Sequence, residues 1–183
     1  LVFGVKLGGG FGQVTSDLGA TFVGELEIGY LLPFLDRSFE LFVAGQYAGP
    51  TTEGTIPADP RLPGDGVSSY TITQRQAIIT AGLLYRIPLN IPLFRPYVSL
   101  GWRTYMMRTE ASGSAGGQDF GGNEETATNY GGFAGALGGE LHFGPVGAVL
   151  LEFQMGYASL DGYIMRDTNV GSLNIAVGYR FFL

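Results

Sequence analysis

Cysteine is absent from the 183 residues, only 14% of them are charged, and histidine occurs once. Without cysteine there is neither a disulfide framework nor a thiolate metal site. A soluble surface usually carries about a quarter charged residues, so something other than water is expected to cover much of this one. Lys and Arg number only 10 and the net charge is −6, which excludes the concentrated basic face of a nucleic-acid binder. Long apolar runs are missing too. Ala148-Val149-Leu150-Leu151 is typical, far short of the roughly 18–20 residues of a membrane-spanning helix. A membrane protein of this composition must therefore cross as strands.

What is abundant is period-two alternation, with apolar side chains on one parity and small or polar ones on the other. It recurs eight times. Leu1, Phe3, Val5 and Leu7 oppose Gly4, Lys6 and Gly8; Leu26, Ile28 and Tyr30 oppose Glu25, Glu27 and Gly29; Leu41, Val43 and Tyr47 oppose Glu40, Ala44 and Gln46. Ile79, Ala81, Leu83 and Tyr85 oppose Gln76, Thr80 and Arg86; Val98, Leu100, Trp102 and Met106 oppose Tyr97, Ser99, Arg103 and Tyr105. Phe133, Leu137 and Leu141 oppose Ala136, Glu140 and His142; Val149, Leu151 and Phe153 oppose Glu152 and Gln154; Ile175, Val177, Tyr179 and Phe181 oppose Asn174, Gly178 and Arg180. Phe42, Ile78 and Leu84 interrupt the rule. Each segment is long enough to cross a bilayer as a tilted strand, which takes about 9–11 residues.

The connections alternate in length. Short turns are expected near 33–37, 88–94 and 144–145, and long loops near 13–21, 48–69, 109–128 and 158–169. A transmembrane barrel has this asymmetry between its ends. The reading is all-β: residues 1–183 form one closed antiparallel up-and-down barrel of eight strands, with periplasmic termini and extracellular long loops. The chain opens directly into Leu1-Val2-Phe3, so any signal peptide is expected to lie ahead of this numbering.

Polarity separates this barrel from a soluble ligand carrier, whose apolar residues line a cavity. The polar parity holds Lys6, Arg86, Arg95, Arg103 and Arg180 against Glu25, Glu27, Glu40, Glu140 and Glu152, while the other parity is nearly free of charge. The bare face belongs in lipid, where only a closed barrel satisfies strand backbone groups. Phe3, Leu26, Leu41, Ile79, Leu100, Leu137, Leu151 and Ile175 are therefore expected to point outward. Tyr30, Tyr85, Phe143, Tyr179 and Phe181 would form one interfacial girdle, and Tyr47, Trp102, Tyr130 and Tyr157 the other.

The eight-strand pattern and the ending Gly178-Tyr179-Arg180-Phe181-Phe182-Leu183 resemble the OmpA- and OmpX-like small outer-membrane barrels. The resemblance implies an assembly signal, Gly178, Tyr179, Phe181 and Leu183, read by the barrel-assembly machinery; Leu183 departs from the commoner terminal Phe. It also implies outer-membrane lipids, lipopolysaccharide included, as surroundings. It covers the whole chain but is architectural, and fold does not give function.

For chemistry, the expected interior network is Lys6, Glu25, Glu27, Glu40, Arg86, Arg103, Glu140, His142, Glu152 and Arg180, a mutually paired plug rather than an ion path. Small barrels that modify lipid A place catalytic groups toward the outer leaflet. His142, one residue from the Phe143-Gly144-Pro145 turn, sits at the opposite end with Glu140 on its face. No catalytic, cofactor or metal residue is assigned. The loop acids Glu53, Asp59 and Asp65, and Glu110, Asp119, Glu124 and Glu125, follow no calcium-ligand spacing. Gly8 to Gly12 precedes no helix and is not a phosphate loop. The expected function is a non-enzymatic membrane anchor whose surface loops contact a partner in adhesion, defence or binding. The alternatives are an accessory subunit docked by a barrel flank in an envelope or secretion assembly, a narrow ion channel, and a lipid A-modifying enzyme.

Overall fold

The computed structural model describes all residues except 12–18, 34, 57–67, 90, 92, 116–117 and 160–168. Nine strands lie among the described residues: β1 (Val2–Phe11), β2 (Ala20–Leu31), β3 (Phe39–Ala48), β4 (Thr51–Ile56), β5 (Ser68–Arg86), β6 (Phe94–Ala115), β7 (Gln118–His142), β8 (Gly147–Tyr157) and β9 (Leu173–Phe182). All pairings are antiparallel. β1 joins β9 and β3 joins β5, so eight strands close a ring, and β4 adds to the upper part of β5. The termini meet where the Leu183 N–H donates to the Leu1 carbonyl at 2.9 Å.

Alternation sets the polarity of the wall. Phe3, Leu26, Leu41, Ile79, Leu100, Leu137 and Leu151 are exposed on the outside, from 43% for Phe3 up to 74% for Leu100, and Ile175 is half-exposed. Their neighbours Lys6, Glu27, Glu40, Arg86, Glu140, Glu152 and Arg180 are at most 3% exposed. Phe42, Ile78 and Leu84, which interrupt the sequence pattern, turn inward with the polar set. Phe42 and Leu84 pack with Ala44 and Tyr97, while Ile78 packs with Tyr105, Met107, Ala158 and Val170. The charges thus share the short-turn part of the interior with the Phe42 and Leu84 cluster, and the Ile78 cluster lies toward the long loops beside buried Gln74 and Gln76.

Glycine lets large inward side chains lie against the wall. Tyr97 lies across Gly138, its register partner, where a Cβ would stand 2.3 Å from the ring. Glu40 lies on Gly29, where a Cβ would meet its Oε1.

The span Thr109–Thr128 departs from expectation. Its described residues are strand: β6 and β7 run 22 and 25 residues, about twice what a bilayer crossing needs, and pair from Phe94↔Leu141 to Ala115↔Gln118. Likewise β5 begins at Ser68, and β4 pairs along it from Thr51↔Thr73 to Ile56↔Ser68, inside the expected 48–69 loop. The physical reason is that a strand in water requires ladder partners but no apolar stripe. Thr- and Ser-rich segments, which lack apolar alternation and so look like loop in the sequence, obtain those partners from each other. A register shift between Arg103 and Tyr105 marks where the hairpin leaves the wall, just beyond the last β7–β8 pair, Phe133↔Tyr157. Residues 13–18, 57–67, 116–117 and 160–168 of the expected long loops lie outside the described residues.

Candidate functional site

The strand register brings the inward charges to common depths. Lys6 is the direct partner of Glu25. Its Nζ donates to Glu25 Oε1 at 2.8 Å, Glu27 Oε2 at 2.8 Å and Glu152 Oε1 at 2.9 Å, three acceptors for three ammonium hydrogens. Arg180 lies toward the short turns. It donates Nε to Glu27 Oε1 at 2.6 Å, Nη1 to Glu140 Oε1 at 2.7 Å and Nη2 to Glu27 Oε2 at 3.0 Å. Arg86 closes the lower end, with Nη2 on Glu40 Oε2 at 2.6 Å and Nε on Glu140 Oε2 at 2.8 Å. One chain of contacts therefore runs Glu40–Arg86–Glu140–Arg180–Glu27–Lys6–Glu25, with Glu152 bridging Lys6 and Arg180.

Two expected members stand apart. Among the described residues Arg103 touches no carboxylate; its Nε donates to Thr80 Oγ1 at 2.8 Å and its Nη2 reaches Gln154 Oε1 at 3.5 Å. His142 is peripheral, its Nε2 3.2 Å from Glu140 Oε2 and its ring stacked on Phe182. Arg95, on the inward parity in the sequence, is exposed at the short-turn mouth because β6 has only just begun there.

Sequence reasoning misses the neutral linkers. Tyr97 donates its hydroxyl to Glu152 Oε2 at 2.7 Å and offers its ring to Arg180, whose Cζ lies 4.6 Å from the centroid. Gln154 donates to Glu25 Oε2 at 2.8 Å and Glu152 Oε1 at 2.6 Å while accepting from Arg103. Both share the parity of the charges, and that parity is the available signal.

Chemically the arrangement is a filled core. The cavity bounded by Lys6, Glu25, Thr80 and Arg103 holds about 20 Å³, room for about one water. Among the described residues no cluster of His, Asp and Glu can hold a metal ion; Asp59 and Asp65 lie outside them. On the outer wall Tyr30, Tyr47, Trp102, Tyr130, Phe143, Tyr157 and Phe181 are exposed, and Tyr85 and Tyr179 half-exposed.

No curated protein matches the chain. Among solved structures it is similar to neisserial surface protein A, at 17% identity over 100% of this chain and 96% of that one, with a TM-score of 0.52. It is also similar to Ail, the attachment invasion locus protein of Yersinia pestis, at 18% identity over 98% of this chain and 96% of that one, TM-score 0.49. At 17% identity the likeness to neisserial surface protein A speaks for the fold alone. The family model for the outer membrane protein beta-barrel domain matches residues 2–181, and with the closed, lipid-faced wall described above the chain belongs to that outer-membrane barrel family.

Proposed function

We propose that this outer-membrane barrel is a non-enzymatic anchor that holds a contact surface clear of the membrane. The observation that carries the proposal is the continuation of β4, β5, β6 and β7 as a paired sheet beyond the eight-stranded wall. A barrel needed only for the membrane gains nothing from strands twice the crossing length. In this reading the projecting sheet and long loops face outside the cell, the termini and short turns face the periplasm, and lipopolysaccharide surrounds the outer half of the wall. Gly178, Tyr179, Phe181 and Leu183 serve the assembly machinery. The interior charges are a structural plug, since side chains fill an eight-stranded barrel.

The test is excision of the projection. Joining Met106 to Thr128 through a two-residue turn should leave the barrel folded, with its heat-modifiable gel shift intact. Binding of cells displaying it to host-cell and matrix surfaces should fall to the level of cells lacking the protein. Unchanged binding by the trimmed barrel would refute the proposal.

A further inference from the structure

At the short-turn end a recess of about 350 Å³ opens over the barrel mouth, walled by Arg37, Arg86, Arg95 and His142, with Asp36 the one carboxylate among the described residues that line it. The cations arrive from separate elements: Arg37 from the β2–β3 turn, Arg86 and Arg95 from the two sides of the β5–β6 connection, His142 from the end of β7. Arg86 is 3% exposed and uses Nε and Nη2 on Glu140 and Glu40, but its buried Nη1 has no hydrogen-bond partner. Its guanidinium lies 5.4 Å over the Phe182 ring, on which His142 also stacks, so this floor is held in place.

Such a wall selects an anion. A planar carboxylate matches the fork of one guanidinium, whereas phosphoryl oxygens point in several directions and can accept from donors that converge from different turns. We infer that the short-turn mouth is a binding site for a phosphate group, presented either as free phosphate or as the headgroup of a phospholipid. Arg37 and Arg95 supply exposed charge at the rim, and the buried Arg86 adds fixed positive charge beneath. Asp36 opposes the guest and sets its affinity.

The single histidine makes the test specific, because ring resonances of His142 report on this recess alone. The folded protein in phosphate-free maltoside micelles is titrated with sodium phosphate, with dihexanoylphosphatidylglycerol, and with sodium acetate at matched ionic strength. Phosphate or the lipid should shift the His142 signals saturably, and acetate should not. Arg37→Gln with Arg95→Gln, both exposed positions outside the buried chain of ion pairs, should raise the half-saturating concentration at least tenfold. Asp36→Asn should lower it several-fold, and Asn tolerates the left-handed backbone that Asp36 adopts at φ 52°. Tighter binding of the lipid identifies a headgroup site, and tighter or equal binding of phosphate a free-phosphate site. Signals that stay unmoved by both, that saturate equally with acetate, or that respond alike in parent and variants overturn the inference.

Discussion

The same ion chemistry occurs twice, in very different surroundings. Inside the barrel Arg180 is fully buried and bonds Glu27 and Glu140 at 2.6 and 2.7 Å. On the projecting sheet Arg108 bonds Glu124 at 2.7 Å, an equally short contact, yet both side chains are about half exposed. Distance does not distinguish the two pairs. What differs is the alternative available to a charge that loses its partner. In the sheet it is hydrated, whereas in the barrel it remains in a narrow interior filled by side chains and loses several kcal/mol of solvation. The barrel network should therefore govern stability, and the sheet's ion pairs should be replaceable without consequence for the fold.

The largest effect is expected at Arg180. Arg180→Met removes the link between Glu27, Glu140 and Glu152 and leaves three carboxylates to Lys6 and Arg86. Breaking a buried pair from one side costs about 3–5 kcal/mol, and this change breaks several. The urea midpoint for unfolding from lipid vesicles should fall further than for a change at Lys6 or Arg108. A midpoint equal to the parent's would mean that water reaches these carboxylates, and the contrast between the two regions would collapse.

A change at Lys6 separates charge from packing. Lys6→Met strands Glu25, Glu27 and Glu152 at once, with an expected loss of about 3–5 kcal/mol if the group is dry. Adding Glu27→Gln removes part of the stranded charge and should recover a portion of that loss, although Arg180 then loses its bidentate partner. A double variant no better than the single would show that the ammonium acts by filling space, not by pairing.

Most of the wall is legible in the sequence because period two is a strict code: one parity is greasy and nearly uncharged, and the register then follows. The same code puts Lys6 on one face with Glu25 and Glu27, and the register then sets it opposite Glu25. It does not show that Arg103 reaches Thr80 and Gln154, because parity gives the face and leaves the reach of a side chain undetermined. Gln154 and Tyr97 escape notice for a related reason, since neutral hydrogen-bond partners carry no charge pattern to count. The projecting sheet is illegible in a different way. Thr51–Ile56, Ser68–Thr73 and the described part of 109–128 are dominated by polar and small residues, and their strand character comes from mutual pairing, which only the tertiary register reveals. Apolar residues that interrupt the pattern look like noise in the sequence, but Ile78 joins the apolar cluster on the loop side of the charged interior, and Phe42 and Leu84 pack beside the charges themselves.

The smallest effect is expected at Arg108, and it completes the comparison. Arg108 bridges Glu110 and Glu124 across the β6–β7 hairpin, in line with the register that sets Glu110 opposite Glu124. In the barrel interior two facing carboxylates without their cation would be severely destabilising. On the sheet water and salt screen them, and exposed ion pairs generally contribute little. Arg108→Ala should therefore leave the urea midpoint of the barrel unchanged within error, at low and at high salt. Its consequence should be local: amide exchange of Glu110, Glu124 and their neighbours should quicken at low ionic strength, where the two carboxylates repel most, and return toward the parent's rate as salt is added. A fall in the barrel's own midpoint would show that the projection and the wall unfold as one unit. The hairpin would then be part of the scaffold that holds the barrel together, and its excision could no longer be read as the loss of a contact surface alone.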